Sequence, residues 1–245
     1  MPRYFLEVAY KGTRYSGFQI QQNAITVQAE IEKAIAVLQR QHIALTGSSR
    51  TDSGVHAEQN FFHFNADTFH EQAVYKLNAI LPNDIVVKSL RQMHANAHCR
   101  FDAISREYEY QIYRFKNPFL KDVAYYYPYT IDEDAMQQAA AFIKEQTHFQ
   151  TFSKAHTQVQ NFNCAIYKSI WGFEKDRLTY TIEANRFLRG MVRMLTASML
   201  RVGRGQLTVE QYKTYFEKGG RCAYSTPPQG LFLKKVTYPP AYFQQ

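Results

Sequence analysis

The chain has 245 residues, 45% apolar and 20% charged, a balance that builds a packed core and suits one large domain or two units of about 120 residues. Lys and Arg exceed Asp and Glu by 29 to 21, a net charge of +8, which favours polyanionic partners, nucleic acid first. No run approaches the ~18 apolar residues of a membrane span, the opening MPRYFLEVAYKG does not read as a secretory signal, and three scattered cysteines (Cys99, Cys164, Cys222) without a CxxC exclude a disulfide framework or a cysteine zinc site. A protein of the cytoplasm is expected.

In chain order, Tyr4 to Tyr10 is rich in aromatic and β-branched residues and predicts a strand. Lys11 to Asn23 is turn-rich, and a helical pattern runs from Val27 to Leu38 with Thr26 as its N-cap. Ile43 to Thr46 predicts a short strand and Gly47 to Gly54 a loop. Phe62 and Phe64 alternate with His63 and Asn65, the period of a half-buried strand. A helix from Gln72 to Ile80 stops before Pro82, and Ile85 to Leu90 is again a strand. The second half follows with a strand (Tyr108 to Phe115), a helix (Asp132 to Glu145) and paired strands (Ile166 to Phe173, Leu178 to Ala184). An arginine-bearing helix (Phe187 to Val202), a short helix near Glu210 to Glu217 and a strand from Gly230 to Tyr238 complete it. The economical architecture is α+β: two ferredoxin-like or RRM-like halves, residues 1–103 and 104–245, each a mainly antiparallel sheet with helices on one face, and a basic cleft between them.

The positive charge is concentrated. Between Ala184 and Val209 stand Arg186, Arg189, Arg193, Arg201 and Arg204 with no acidic residue. The first three are three and four residues apart, one face of a helix over Phe187 to Val202. A solvated basic face normally carries acidic partners at i±4; their absence favours a phosphate-facing surface.

The densest cluster of candidate chemistry is Gly47-Ser48-Ser49-Arg50-Thr51-Asp52-Ser53-Gly54-Val55-His56-Ala57. Its plain reading is a turn, with Gly54 at positive φ and Asp52 making an Asx-turn. His56-Ala57-Glu58 begins a nucleobase-deaminase signature, but the required Pro-Cys-x-x-Cys is missing. His94 and His98 lack the Glu of an HExxH zinc site and read as surface histidines. No P-loop, complete dinucleotide fingerprint or GxSxG is present. What survives is one carboxylate, several arginines, and Tyr108 and Tyr110 on one face of a strand, where a tyrosine can also stack on an unpaired base.

The run Arg50 to Ala57 closely resembles the signature loop of the tRNA pseudouridine synthase A family. So do Tyr10-Lys11-Gly12-Thr13 with Gly17-Phe18-Gln19, Thr26-Val27-Gln28, and Ala97 to Ala103 leading into Arg106-Glu107-Tyr108-Glu109-Tyr110. Phe187-Leu188 through Met191-Val192-Arg193-Met194, Val202-Gly203, and Pro228-Gln229-Gly230-Leu231 to Tyr238-Pro239 resemble its later motifs. The resemblances keep their order and cover essentially the whole chain.

This resemblance implies an isomerase that converts uridine to pseudouridine at positions 38, 39 and 40 of the tRNA anticodon arm, without metal or cofactor. Asp52 would be the catalytic nucleophile and Arg193 the cation that keeps it ionised. Tyr108 would stack on the target base, Leu231 close the pocket beneath it, and Arg50 enter the RNA stack when the uridine flips out. Arg186, Arg189, Arg201 and Arg204 are candidates for the tRNA backbone. The family also implies a homodimer. A non-catalytic RNA-binding protein of the same fold and an isomerase with another site choice are the alternatives; a glycosidase would need a second carboxylate that no motif supplies. Two positions depart from the family pattern. Ser49 replaces a glycine, with strain if its φ is positive, and Gly190 stands where a larger polar residue is usual, costing about 1 kcal/mol if inside a helix.

Overall fold

The structure, a computed structural model, describes residues 1–69, 71–154, 159–217 and 220–244. In chain order its strands and helices are β1 (Arg3–Tyr10), α1 (Val27–Gln39), β2 (Thr46–Gly47), β3 (His56–Asn65), α2 (Ala73–Ile80), β4 (Ile85–Met93), β5 (Ser105–Tyr113), β6 (Tyr125–Tyr126), α3 (Glu133–Lys144), β7 (Ile166–Phe173), β8 (Arg177–Ala184), α4 (Met191–Gly203), α5 (Val209–Glu217) and β9 (Leu231–Thr237). The chain forms two compact units, 1–104 with 233–245, and 105–232. The class is α+β, with antiparallel ladders throughout the registers of β1, β2, β3, β4, β5, β7 and β8 and a short parallel pairing of β6 with β5.

In the first unit β1 lies between β4 and β3, and β2 pairs with β3. Helix α1 starts where Thr26 Oγ1 accepts the Ala29 N–H at 3.3 Å, with Val27, Ile31, Ala34 and Ile35 turned inward. The alternation expected at Phe62 and Phe64 is only half of the matter, because Phe61, Phe62, His63 and Phe64 are all buried. Phe62 stacks on Phe18 with centroids 4.5 Å apart. On the other face Phe61 meets Tyr238 and Phe243 at 5.2 and 5.7 Å. The strand is covered on both faces because the C-terminal residues return over it.

The strand expected at Ile43 to Thr46 reduces to Thr46–Gly47. Ile43 and Leu45 are buried, but the Leu45 backbone is claimed by α1: its N–H donates to Glu32 Oε1 (2.9 Å) and its carbonyl accepts Gln28 Nε2 (2.9 Å). Glu32, itself buried, replaces the ladder that a strand would have offered.

In the second unit β8 lies between β5 and β7. The β7–β8 hairpin closes by reciprocal backbone bonds between Glu174 and Arg177 at 2.9 and 3.3 Å. Helix α3 is capped by Asp132, whose Oδ1 accepts the Ala135 N–H at 2.9 Å. It approaches α4 so closely that a Cβ on Gly203 would stand 2.5 Å from Met136 Sδ. Strand β6, Tyr125 and Tyr126, has no counterpart in the sequence pattern, since two residues carry no readable period.

The arginine helix begins at Met191, four residues later than expected. Gly190 is its N-cap, at φ +75°. Arg186 and Arg189 therefore precede the helix and do not share a helical face with Arg193. A left-handed residue cannot continue a right-handed helix, and it explains why glycine stands at 190. Ser49 carries no such strain: among the described residues the non-glycine positions with positive φ are Asn23, Arg40 and Ala241.

Candidate active site

In the first unit the segment from Ser48 to Val55 is shaped by bonds from four directions. The Ser48 N–H donates to the Phe61 carbonyl (2.8 Å) and the Phe18 N–H to the Thr51 carbonyl (3.1 Å). The Ser53 hydroxyl donates to the Tyr15 carbonyl (3.2 Å). Val55 N–H returns to the Asp52 backbone carbonyl at 3.1 Å, so Asp52 opens a tight turn through its main chain, and Gly54 has the expected positive φ, at +79°.

Beneath the turn lies a buried polar network. Asn60 Nδ2 donates to the Ser49 carbonyl (2.8 Å) and to the Tyr10 hydroxyl (3.2 Å), and that hydroxyl lies 2.8 Å from Thr51 Oγ1. His56 Nδ1 accepts the Gly12 N–H at 3.0 Å, which places the ring proton on Nε2. Backbones come into contact here: a Cβ on Gly12 would lie 2.0 Å from the Val55 carbonyl oxygen, and one on Gly17 3.2 Å from that of Thr51. Asp52 emerges half-buried from this scaffold and Arg50 exposed. The loop is thus held by its neighbours instead of by its own sequence alone.

The second unit carries the other predicted residues. Tyr108 is buried on β5 and meets Phe187 edge to face, centroids 5.1 Å apart. Arg193, in the first turn of α4, donates through Nε to the Thr226 carbonyl at 2.7 Å. Leu231 is buried at the start of β9, just after the 3₁₀ turn Pro228–Gly230. Tyr110, also buried, donates its hydroxyl to the Pro227 carbonyl at 2.7 Å. Arg186 is half-buried and Arg189 exposed.

The missing acidic partners of the arginine run have a structural counterpart. Arg201 lies over the ring of Tyr224 and Arg204 over that of Tyr129, each with its guanidinium carbon 3.8 Å from the centroid. A planar cation on an aromatic face keeps its charge and its in-plane N–H edges. Tyr129 and Tyr224 lie far from the arginines in sequence, so spacing rules could not find them.

His94 is exposed, but His98 is half-buried beside His63, ring centroids 4.4 Å apart. His63 Nδ1 is 3.1 Å from Cys99 Sγ, and the thiol donates to the Thr46 carbonyl at 3.2 Å. Burial, with Arg3 nearby, holds His63 down at about 4. Among the described residues no group of three or more His, Cys, Asp or Glu side chains is arranged to hold a metal ion. Nor is any helix among them long and apolar enough to cross a membrane.

Residues 7–102 and 146–239 match the sequence profile of the tRNA pseudouridine synthase family. The chain is 41% identical to the tRNA pseudouridine synthase A of Parabacteroides distasonis over 99% of its own length and 98% of that protein. It is 38% identical to that of Porphyromonas gingivalis (99% and 100% covered) and 34% to that of Staphylococcus epidermidis (97% and 91%).

Proposed function

Because the chain belongs to the tRNA pseudouridine synthase family, we propose that it isomerises uridine to pseudouridine in tRNA, at positions 38, 39 and 40 of the anticodon arm. The observation that carries this reading is the Asp52 turn: one half-buried carboxylate on a scaffold of buried hydrogen bonds, inside a segment that the family match spans.

The isomerisation breaks the bond from ribose C1′ to uracil N1 and forms one from C1′ to C5. N1 gains a proton and C5 loses one, so atoms and electrons balance without an oxidant or reductant. In this reading Asp52 is the nucleophile, attacking the sugar or assisting departure of the base. Arg193 supplies positive charge to the reaction. Tyr108 stacks on the uracil, with Phe187 fixing its ring from the edge. Leu231 offers an apolar floor, and Arg50, exposed beside the turn, fills the RNA stack once the uridine has flipped. Arg186, Arg189, Arg201 and Arg204 contact the phosphate backbone. The enzyme acts in the cytoplasm as a homodimer.

The test is to incubate purified protein with a full-length tRNA and map pseudouridine by carbodiimide treatment and primer extension. New stops at one or more of positions 38 to 40 are expected. Stops elsewhere would overturn the site choice, and tRNA binding without any stop would leave an RNA-binding protein of the same fold.

A further inference from the structure

Arg193 and Thr226, thirty-three residues apart, are bonded at three points. Arg193 Nε donates to the Thr226 carbonyl at 2.7 Å, while the Arg193 carbonyl accepts both the N–H and the hydroxyl of Thr226, each at 3.2 Å. Thr226 is only 3% exposed. The two residues that follow are prolines without N–H groups, so ladder bonds cannot fix this segment.

Its next carbonyl, that of Pro227, is instead taken by the Tyr110 hydroxyl at 2.7 Å. The same tyrosine ring presses on Gly230, where a Cβ would stand 2.6 Å from Tyr110 Cζ. Burial pushes the Tyr110 hydroxyl above the ordinary phenol range, opposed by the Thr226 hydrogen bond and the Arg193 charge, so it remains a donor.

We infer that Tyr110 and Thr226 are positioning residues for Arg193, clamping the Thr226–Pro227 segment so that the guanidinium plane is fixed; this rests on the role proposed above for Arg193. A guanidinium is rigid and planar, so anchoring Nε decides where its two Nη groups point. Displacing a reacting group by about 1 Å can cost a rate factor of about 100. Tyr110 thus serves the reaction from beneath, two residues along β5 from the tyrosine that stacks on the base.

The test uses Tyr110→Phe, which deletes one oxygen, and the pair Thr226→Val and Thr226→Ser, which remove and restore one hydroxyl. Single-turnover tritium release from tRNA labelled at uridine C5 reports the chemical step, because the new C1′–C5 bond expels that hydrogen. Tyr110→Phe and Thr226→Val are expected to slow release about tenfold with tRNA Kd within about threefold, and Thr226→Ser to stay within about twofold of the unsubstituted protein. In an Arg193→Lys background, which lacks the Nε–H donor, adding Tyr110→Phe should change the rate by less than about twofold.

Equal losses in both backgrounds, or a loss confined to tRNA affinity or melting temperature, would overturn the inference. Hydrogen exchange of the Arg193 Nε–H, followed by NMR, reads the clamp without any turnover. Exchange should be slow in the unsubstituted protein and faster in Tyr110→Phe and Thr226→Val; unchanged exchange would overturn it. If the unsubstituted protein released no tritium, the proposed function would fail, while the exchange result would still judge the clamp.

Discussion

The Tyr10 hydroxyl stands 2.8 Å from Thr51 Oγ1, which ties the residue before the proposed nucleophile to the end of β1. Asn60 completes the tie by donating to both that hydroxyl and the Ser49 carbonyl. Removing one partner of a buried pair leaves the other unsatisfied, at a cost of about 1–3 kcal/mol. Asn60→Ala should therefore lower the unfolding free energy by an amount in that range, and slow turnover more than it weakens tRNA binding. Denaturation curves alongside single-turnover rates check both halves.

Gly190 caps α4 at φ +75°, and a Cβ there would meet Met194 Cε at 3.0 Å and Lys154 Cγ at 3.1 Å. Gly190→Ala should destabilise the protein by about 1–2 kcal/mol, combining left-handed backbone strain with crowding. Because Arg193 lies one turn further on, tritium release should slow as well. Calorimetry and the release assay measure the two effects.

The same glycine breaks a pattern that spacing alone presents as continuous. Helical spacing through Arg186, Arg189 and Arg193 suggested one continuous face, and only the local backbone revealed the break. By contrast, Thr26 caps its helix as expected, because capping is decided within three residues. The positive φ of Gly54 is equally readable from its residue type. What escaped depends on distant chain: the tail that covers Phe61, the tyrosines beneath Arg201 and Arg204, and the Asn60 and Thr226 contacts that support Asp52 and Arg193. Glu32 shows the same limit, since nothing near Ile43 to Leu45 announces that a helix carboxylate will claim that backbone.

His63 supplies a pH dependence. It faces Cys99, His98, Arg3 and Asp102, and burial, Arg3 and His98 together depress it to about 4 from an ordinary 6.5. The unfolded chain therefore binds a proton at a higher pH than the folded one. Stability from this group is fully present above about pH 6.5 and declines as pH falls from there to about 4. His98, also depressed by burial, acts in the same direction. Urea denaturation at pH 7.5 and 5 should show the loss, and His63→Gln should reduce the difference between the two.

Arg201 and Arg204 carry their charge on exposed tyrosines. If each neutralises one phosphate, Arg201→Ala and Arg204→Ala should each lower the slope of log affinity against log salt by about 0.7–0.9. The rate with saturating tRNA should remain unchanged. Filter binding from low to moderate salt measures the slopes.

The central claim is that the Asp52 carboxylate performs the chemistry on a bound tRNA. Asp52→Asn keeps the shape of the turn and removes the negative charge, so single-turnover tritium release from tRNA labelled at uridine C5 tests it most directly. Release should fall to background while tRNA Kd stays within about tenfold, since phosphate contacts dominate affinity. Release at a rate near that of the unsubstituted protein would contradict the assignment of Asp52 as nucleophile.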